Sequence, residues 1–152
     1  MFSQTPQQAH HFDISEVSCE LNETFSGKTK TSITVTNTGN IDVYIRVQMT
    51  THWVDEKNTI IGEFASMPDF DYDEQWLKKD NTYYYKVPIR SKTKTVELLK
   101  SPIVLESKEV EGKMLHQEID VFAEAIQSVP QEAVTTSWNV ILDAQGHIQD
   151  VK

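Results

Sequence analysis

Between Ile41 and Met49 every second residue is apolar: Ile41, Val43, Ile45, Val47 and Met49 alternate with Asp42, Tyr44, Arg46 and Gln48. A helix would scatter these side chains around its circumference, whereas a strand places them all on one side. One face then meets a core and the other meets water, the signature of an antiparallel sheet. Ile41, Val43, Ile45 and Val47 are therefore expected to face inward, with Tyr44 and Arg46 facing outward. Just upstream, Ile33 and Val35 alternate with serine and threonine, a β-branched run suited to a pleated surface. The break between the two runs is Asn37-Thr38-Gly39-Asn40, whose glycine and asparagines tolerate positive φ. It reads as the turn of a hairpin.

The same pattern recurs along the chain. Val17, Cys19 and Leu21 alternate, with Phe12 and Ile14 out of phase before them, which a bulge near Ser15 and Glu16 would reconcile. Tyr83, Tyr85, Val87 and Ile89 follow a turn at Lys78-Lys79-Asp80-Asn81, and Lys94, Val96 and Leu98 suggest a lysine-bearing edge strand. Ile119, Val121, Ala123 and Ala125 alternate with a second set containing Phe122 and Ile126, which predicts a central strand. Val140 and Leu142 should pair with Ile148 and Val151. Residues 130–137 form the one convincing short helix, with Pro130 in its first turn and Glu132 near its N-terminus. About eight short strands with turn signals between them predict an all-β antiparallel sandwich, with residues 62–78 as a long loop.

With 152 residues the chain is long enough to bury a core as one domain. Its 14 basic and 23 acidic residues leave a formal charge of −9, a field that repels phosphate backbones and anionic lipid. Nucleic-acid partners and electrostatic membrane binding are thereby disfavoured. No apolar run approaches the roughly 20 residues of a spanning helix. Nor does the polar start Ser3-Gln4-Thr5-Pro6-Gln7-Gln8 resemble an export signal, so the chain reads as cytoplasmic or as a mature form behind an added methionine.

Chemistry finds little support. The single cysteine, Cys19, cannot form an intrachain disulfide and sits among acidic residues that disfavour its thiolate. His10, His11, His52, His116 and His147 lack the paired spacing of a zinc site, so no metal is expected on them. Asp69, Asp71, Asp73 and Glu74 could attract calcium, but the loop lacks the glycine and the terminal glutamate of a helix–loop–helix calcium site. A solvated acidic loop is the expectation. No nucleophile elbow, phosphate-binding glycine loop or cysteine–histidine pair occurs, so neither an enzyme nor a cofactor is expected. Trp53, Trp76, Trp138 and the run Tyr83-Tyr84-Tyr85 would suit a core or, alternatively, a sugar-stacking surface.

Three ordered blocks carry a resemblance across about residues 12–148: Asn37-Thr38-Gly39-Asn40 with Tyr44-Ile45-Arg46, the stretch from Trp76 to Tyr85, and Ala123-Glu124-Ala125-Ile126-Gln127 ending at Trp138. The chain resembles the SipW-dependent exported proteins of Gram-positive bacteria, the TasA and camelysin family, and above all its BsaA-type biofilm matrix proteins. The resemblance implies a jelly-roll-like β-sandwich secreted to the cell surface or extracellular matrix. It further implies a structural subunit that assembles head-to-tail into fibres by donor-strand complementation. The partner is then the chain itself, with other matrix proteins or polysaccharide as further candidates and no membrane insertion in the mature form. Residues 1–11 become an N-terminal arm or donor strand and 12–152 the sandwich domain, with Phe2, Phe12 and Ile14 as the assembly residues. Metalloprotease activity, associated with camelysin, finds no matching zinc motif here. The competing expectation is a monomeric cell-surface module that binds a glycan or host protein through its aromatic loops.

Overall fold

The computed structural model describes residues 16–62 and 65–152. Eleven strands and one helix are formed there: β1 (Cys19–Ser26), β2 (Thr29–Asn37), β3 (Val43–Val54), β4 (Ile60–Ile61), β5 (Trp76–Lys79), β6 (Thr82–Tyr85), β7 (Ile103–Val104), β8 (Ser107–Val110), β9 (Lys113–Gln127), α1 (Glu132–Trp138), β10 (Val140–Leu142) and β11 (Ile148–Val151). All pairings are antiparallel. The small sheet has the order β1-β2-β7, and the large sheet β5-β6-β3-β9-β8 with β4 added to one end of β3. The fold is all-β and sandwich-like, as the alternation predicts.

One core lies between the sheets. Ile33 and Val35 of β2 meet Val43, Ile45, Val47 and Met49 of β3, with Trp76, Tyr83, Tyr85, Leu98 and Ile103 closing the sides. A second core sits on the opposite face of the large sheet, where Tyr44, Tyr84 and Ile126 pack against Val134, Trp138, Val140 and Ile148 of α1 and the β10–β11 pair. Tyr44 thus does point away from the main core, yet it is 1% exposed because this cap covers it. Its hydroxyl donates to the Gly146 carbonyl at 2.5 Å. Arg46 lies over the Trp138 ring at 4.5 Å and its Nε donates to Glu124 at 2.9 Å. A period-two pattern cannot distinguish a polar face from one buried by a later element.

The expected hairpin at Asn37–Asn40 is a crossing between sheets instead. β2 pairs with β1 and β7, while β3 pairs with β4, β6 and β9. The buried Asn37 amide fixes the corner: its Nδ2 donates to the carbonyls of Ile41 (2.8 Å) and Ile89 (2.9 Å), and its Oδ1 accepts from the Gly39 N–H (3.0 Å). Gly39 is required by crowding, because a Cβ there would lie 2.1 Å from the Glu16 carbonyl oxygen. The true hairpin joins β1 to β2 through Gly27, whose φ is +64°.

Three further strand expectations change. The loop expected over residues 62–78 stops short of Trp76, because Trp76–Lys79 is β5 and pairs with β6 across a turn of Asp80 and Asn81 alone. β6 ends at Tyr85, and Ile89, beyond Pro88, makes only a bridge to Val43, since proline contributes no N–H to a ladder. Lys94, Val96 and Leu98 form no strand; a single bridge joins Lys94 to Thr36, and Thr95 and Leu98 are buried while Val96 is exposed. A register shift lies between Thr24 and Phe25; the bulge expected near Ser15 and Glu16 turns on Phe12, Ile14 and Ser15, which are outside the described residues. The helix starts slightly later than expected, with Gln131 as its N-cap, and β10 and β11 pair as expected, Val140 lying opposite Val151 and Leu142 opposite Ile148.

Candidate functional site

Antiparallel strands direct the backbone groups of alternate residues to alternate neighbours. β3 and β9 pair without a register shift from Val43–Gln127 to Val54–His116. The Val43 N–H and C=O both point away from β9, exchanging bonds with Ile89 at 3.0 and 2.7 Å, so Gln127, opposite Val43, also points away from β3. At the other end the Gln117 N–H turns outward and donates to the Glu106 carbonyl at 2.8 Å. The unbroken register between them makes Ile119, Val121, Ala123, Ala125 and Gln127 the residues whose N–H and C=O leave the sheet. β8 covers β9 only from Lys113 to His116. Among the described residues no strand pairs with this outer edge of β9 from Glu118 to Gln127, and no backbone hydrogen bond reaches it. Among the described residues, the strand expected to be central has neighbours on both edges only around His116 and Gln117.

The side chains tell the same story. Ile119, Val121, Ala123 and Ala125 face the main core, but only Ile119 is buried; the other three are half-buried. Their partners across the ladder, Ile45 and Val47, are fully buried. β1 lies alongside β9, and its Cys19 and Leu21 are likewise half-buried against the core. Burial and then the Glu124 carboxylate push the Cys19 thiol above its ordinary value, so it remains protonated and unreactive at neutral pH. The flank between β1 and β9 is thus a shallow, largely apolar strip with an outer row of carboxylates, Glu118, Asp120 and Glu124. His52 stands between two of them, 3.1 Å from Glu118 and 3.4 Å from Asp120.

The chain reaches this flank at Glu16. The Glu16 N–H donates to Asn40 Oδ1 at 2.7 Å, its carbonyl accepts from the Asn40 N–H at 3.3 Å, and the Ser18 carbonyl accepts from the Thr38 N–H at 3.2 Å. Phe2, Phe12 and Ile14, expected as assembly residues, lie outside the described residues, as do His10 and His11.

Elsewhere the chemistry is structural. Among the described residues no group of three or more histidine, cysteine, aspartate or glutamate side chains could hold a metal ion. In the acidic loop, Asp73 caps the Gln75 N–H at 2.8 Å and the Asp71 carbonyl accepts from Lys100 and Ser101. Trp53, Trp76, Trp138, Tyr83, Tyr84 and Tyr85 are all buried, at 1–6% exposure, so they offer no stacking platform. The β9 edge escaped sequence reasoning because alternation identifies a strand but not its neighbours. The available signal was small: Ala123 and Ala125 where bulkier residues would close a core. Searches against models of known families, curated proteins and solved structures gave no match.

Proposed function

We propose that this chain is a secreted structural subunit of extracellular biofilm-matrix fibres, assembling head-to-tail by donor-strand complementation. The observation that carries the reading is the flank between β1 and β9, where a sandwich presents backbone donors and acceptors beside half-buried apolar side chains. Strand addition supplies main-chain hydrogen bonds to such an edge and fills alternate side-chain positions. A head-to-tail contact that does not close on itself yields a filament. The donor is residues 1–11 with Phe12 and Ile14, and Phe2 anchors in a neighbouring subunit. Resemblance to the SipW-dependent matrix proteins gives the export and the fibre. No helix among the described residues is long and apolar enough to cross a membrane.

Negative-stain microscopy after incubation at high concentration or mild acid tests the reading. Fibres of uniform width are expected from the full chain. A variant lacking residues 2–11, and a Phe2→Asp variant, should remain folded by circular dichroism and form none. Polymerisation of the truncated chain at the wild-type rate would refute the donor role.

A further inference from the structure

Two strand edges border the flank, and only one is fit to accept a partner. On β1 the outward backbone belongs to Cys19, Leu21 and Glu23, because their partners Asn37, Val35 and Ile33 direct their own N–H and C=O toward residues 92–98. That edge is interrupted by the shift between Thr24 and Phe25. It also turns a charge inward, Glu23 pairing with the buried Lys30, whose ammonium lies 4.0 Å from the Phe25 ring centroid. Bulges and inward charges are the devices by which edges avoid unwanted pairing. The β9 edge has neither: its register is continuous, and Ile119, Val121, Ala123 and Ala125 turn only apolar groups inward.

Chain direction selects the occupant. Glu16 is fastened to Asn40, beside the Gln127 end of β9, and β1 runs from there back toward the Lys113 end. A segment folding back from Glu16 along β9 in the same molecule would run N-to-C in β9's own direction, as a parallel pair. The arm of another molecule is free to enter in the opposite sense, and antiparallel pairing is the more stable per residue. From Ile119 to Gln127 the edge measures roughly 27 Å at about 3.4 Å per residue, within reach of the fifteen residues that precede Glu16.

Resting on the fibre-subunit reading, we infer that the β9 edge from Ile119 to Gln127 is the acceptor, and that it binds residues 2–15 of a second copy of this chain as an antiparallel strand. Phe12 and Ile14, two residues apart and so on one side of an extended strand, turn toward the core. Ala123 and Ala125 leave the room their side chains fill, covering Cys19, Leu21 and Val121. His11, on the opposite side, meets the row formed by Glu118, Asp120 and Glu124.

The alternation supplies a selective variant. Because the Ala123 N–H points away from β3, Ala123→Pro removes an outward donor without removing a bond of the β3–β9 ladder, the one setting in which a strand accepts proline. It should fold and melt as the wild type does, yet form no fibres. A second measurement does not depend on that variant: a synthetic peptide of residues 2–15 is titrated onto the full chain, and amide exchange is read residue by residue. Exchange at Ile119, Val121, Ala123, Ala125 and Gln127 should slow by at least about tenfold, while the β1 amides of Cys19, Leu21 and Glu23 do not change. Unchanged exchange on β9, or protection on β1 instead, overturns the inference even if the wild type forms fibres. Protection on β9 in a chain that never polymerises upholds the acceptor edge and refutes the fibre reading alone.

Discussion

The outer edges of β2 and β9 pose the same problem and receive opposite treatment. On β2, Ile33, Val35 and Asn37 direct their N–H and C=O away from β1, and each of these six groups has a partner. Backbone N–H groups of Leu98, Thr95 and Lys92 satisfy the three carbonyls. The three N–H groups donate to Glu97 Oε2 at 2.7 Å, Thr95 Oγ1 at 3.1 Å and the Thr93 carbonyl at 2.8 Å. Segment 92–98 is too irregular to be a strand, and side-chain oxygens replace two of the carbonyls a strand would provide. On β9 the described residues provide nothing comparable beyond Gln117. The difference teaches that this fold can seal an edge with a loop, so the outer edge of β9, which no other described residue seals beyond Gln117, invites a functional explanation.

The comparison can be broken first by cavity formation. Ile45→Ala, in the fully buried part of the ladder, should cost about 2–5 kcal/mol in denaturant melts. Val121→Ala, half-buried on the β9 flank, should cost clearly less in the same melts. Equal losses would mean that the flank is as closed as the core. Next comes the seal. The Glu97 carboxylate accepts from Ser32 Oγ at 2.6 Å and from the N–H groups of Ile33 (2.7 Å) and Leu99 (3.0 Å). Glu97→Ala should destabilise by about 1–3 kcal/mol and speed amide exchange at Ile33. Melts indistinguishable from wild type would show that the seal is ornamental.

Arg46→Ala should cost under about 1 kcal/mol for its ion pair with the half-exposed Glu124, plus a small loss of packing on Trp138. Two exposed turns give the smallest effect. N–H groups of His147 and Gln145 hold the Asp143 carboxyl below its ordinary range, and those of Thr59 and Lys57 do the same for Asp55. A depressed folded value means that the capping is complete above the unfolded carboxylate pKa of about 3.9 and is lost as pH falls through the folded value below it. Self-association, by contrast, should rise as the charge of −9 is neutralised toward the sequence pI of about 4.9. Light scattering should therefore increase in acid while the amide signals of Gln145 and His147 are still those of intact turns. Association strongest at pH 8 and low salt would contradict the charge argument.

Strand positions and facing residues were legible wherever alternation was long, as in Val43, Ile45 and Val47. Connectivity was not. Nothing in Asn37–Asn40 distinguishes a turn within a sheet from a corner between sheets, because both favour glycine and asparagine; the choice depends on Ile89 and Glu16, distant in sequence, meeting that corner. Likewise Tyr44 reads as outward until α1 and β10, far later in the chain, bury it. The candidate edge is legible only after pairing is known, since openness belongs to a strand's neighbours and not to its own residues.

The corner at Gly39 has a mechanical meaning if subunits are joined through their arms. Tension transmitted along an arm would enter the domain at Glu16, where its N–H and C=O, bonded to the side chain and the N–H of Asn40, and the close fit against Gly39 take the load before β1 does. Ser18 then passes it to Thr38 through both backbone and hydroxyl, the latter at 2.7 Å. A pull directed along β1 loads its ladder with β2 in shear, so that many bonds resist together rather than opening one by one. The feature that denies position 39 a side chain would thus also be the clamp by which a filament bears strain.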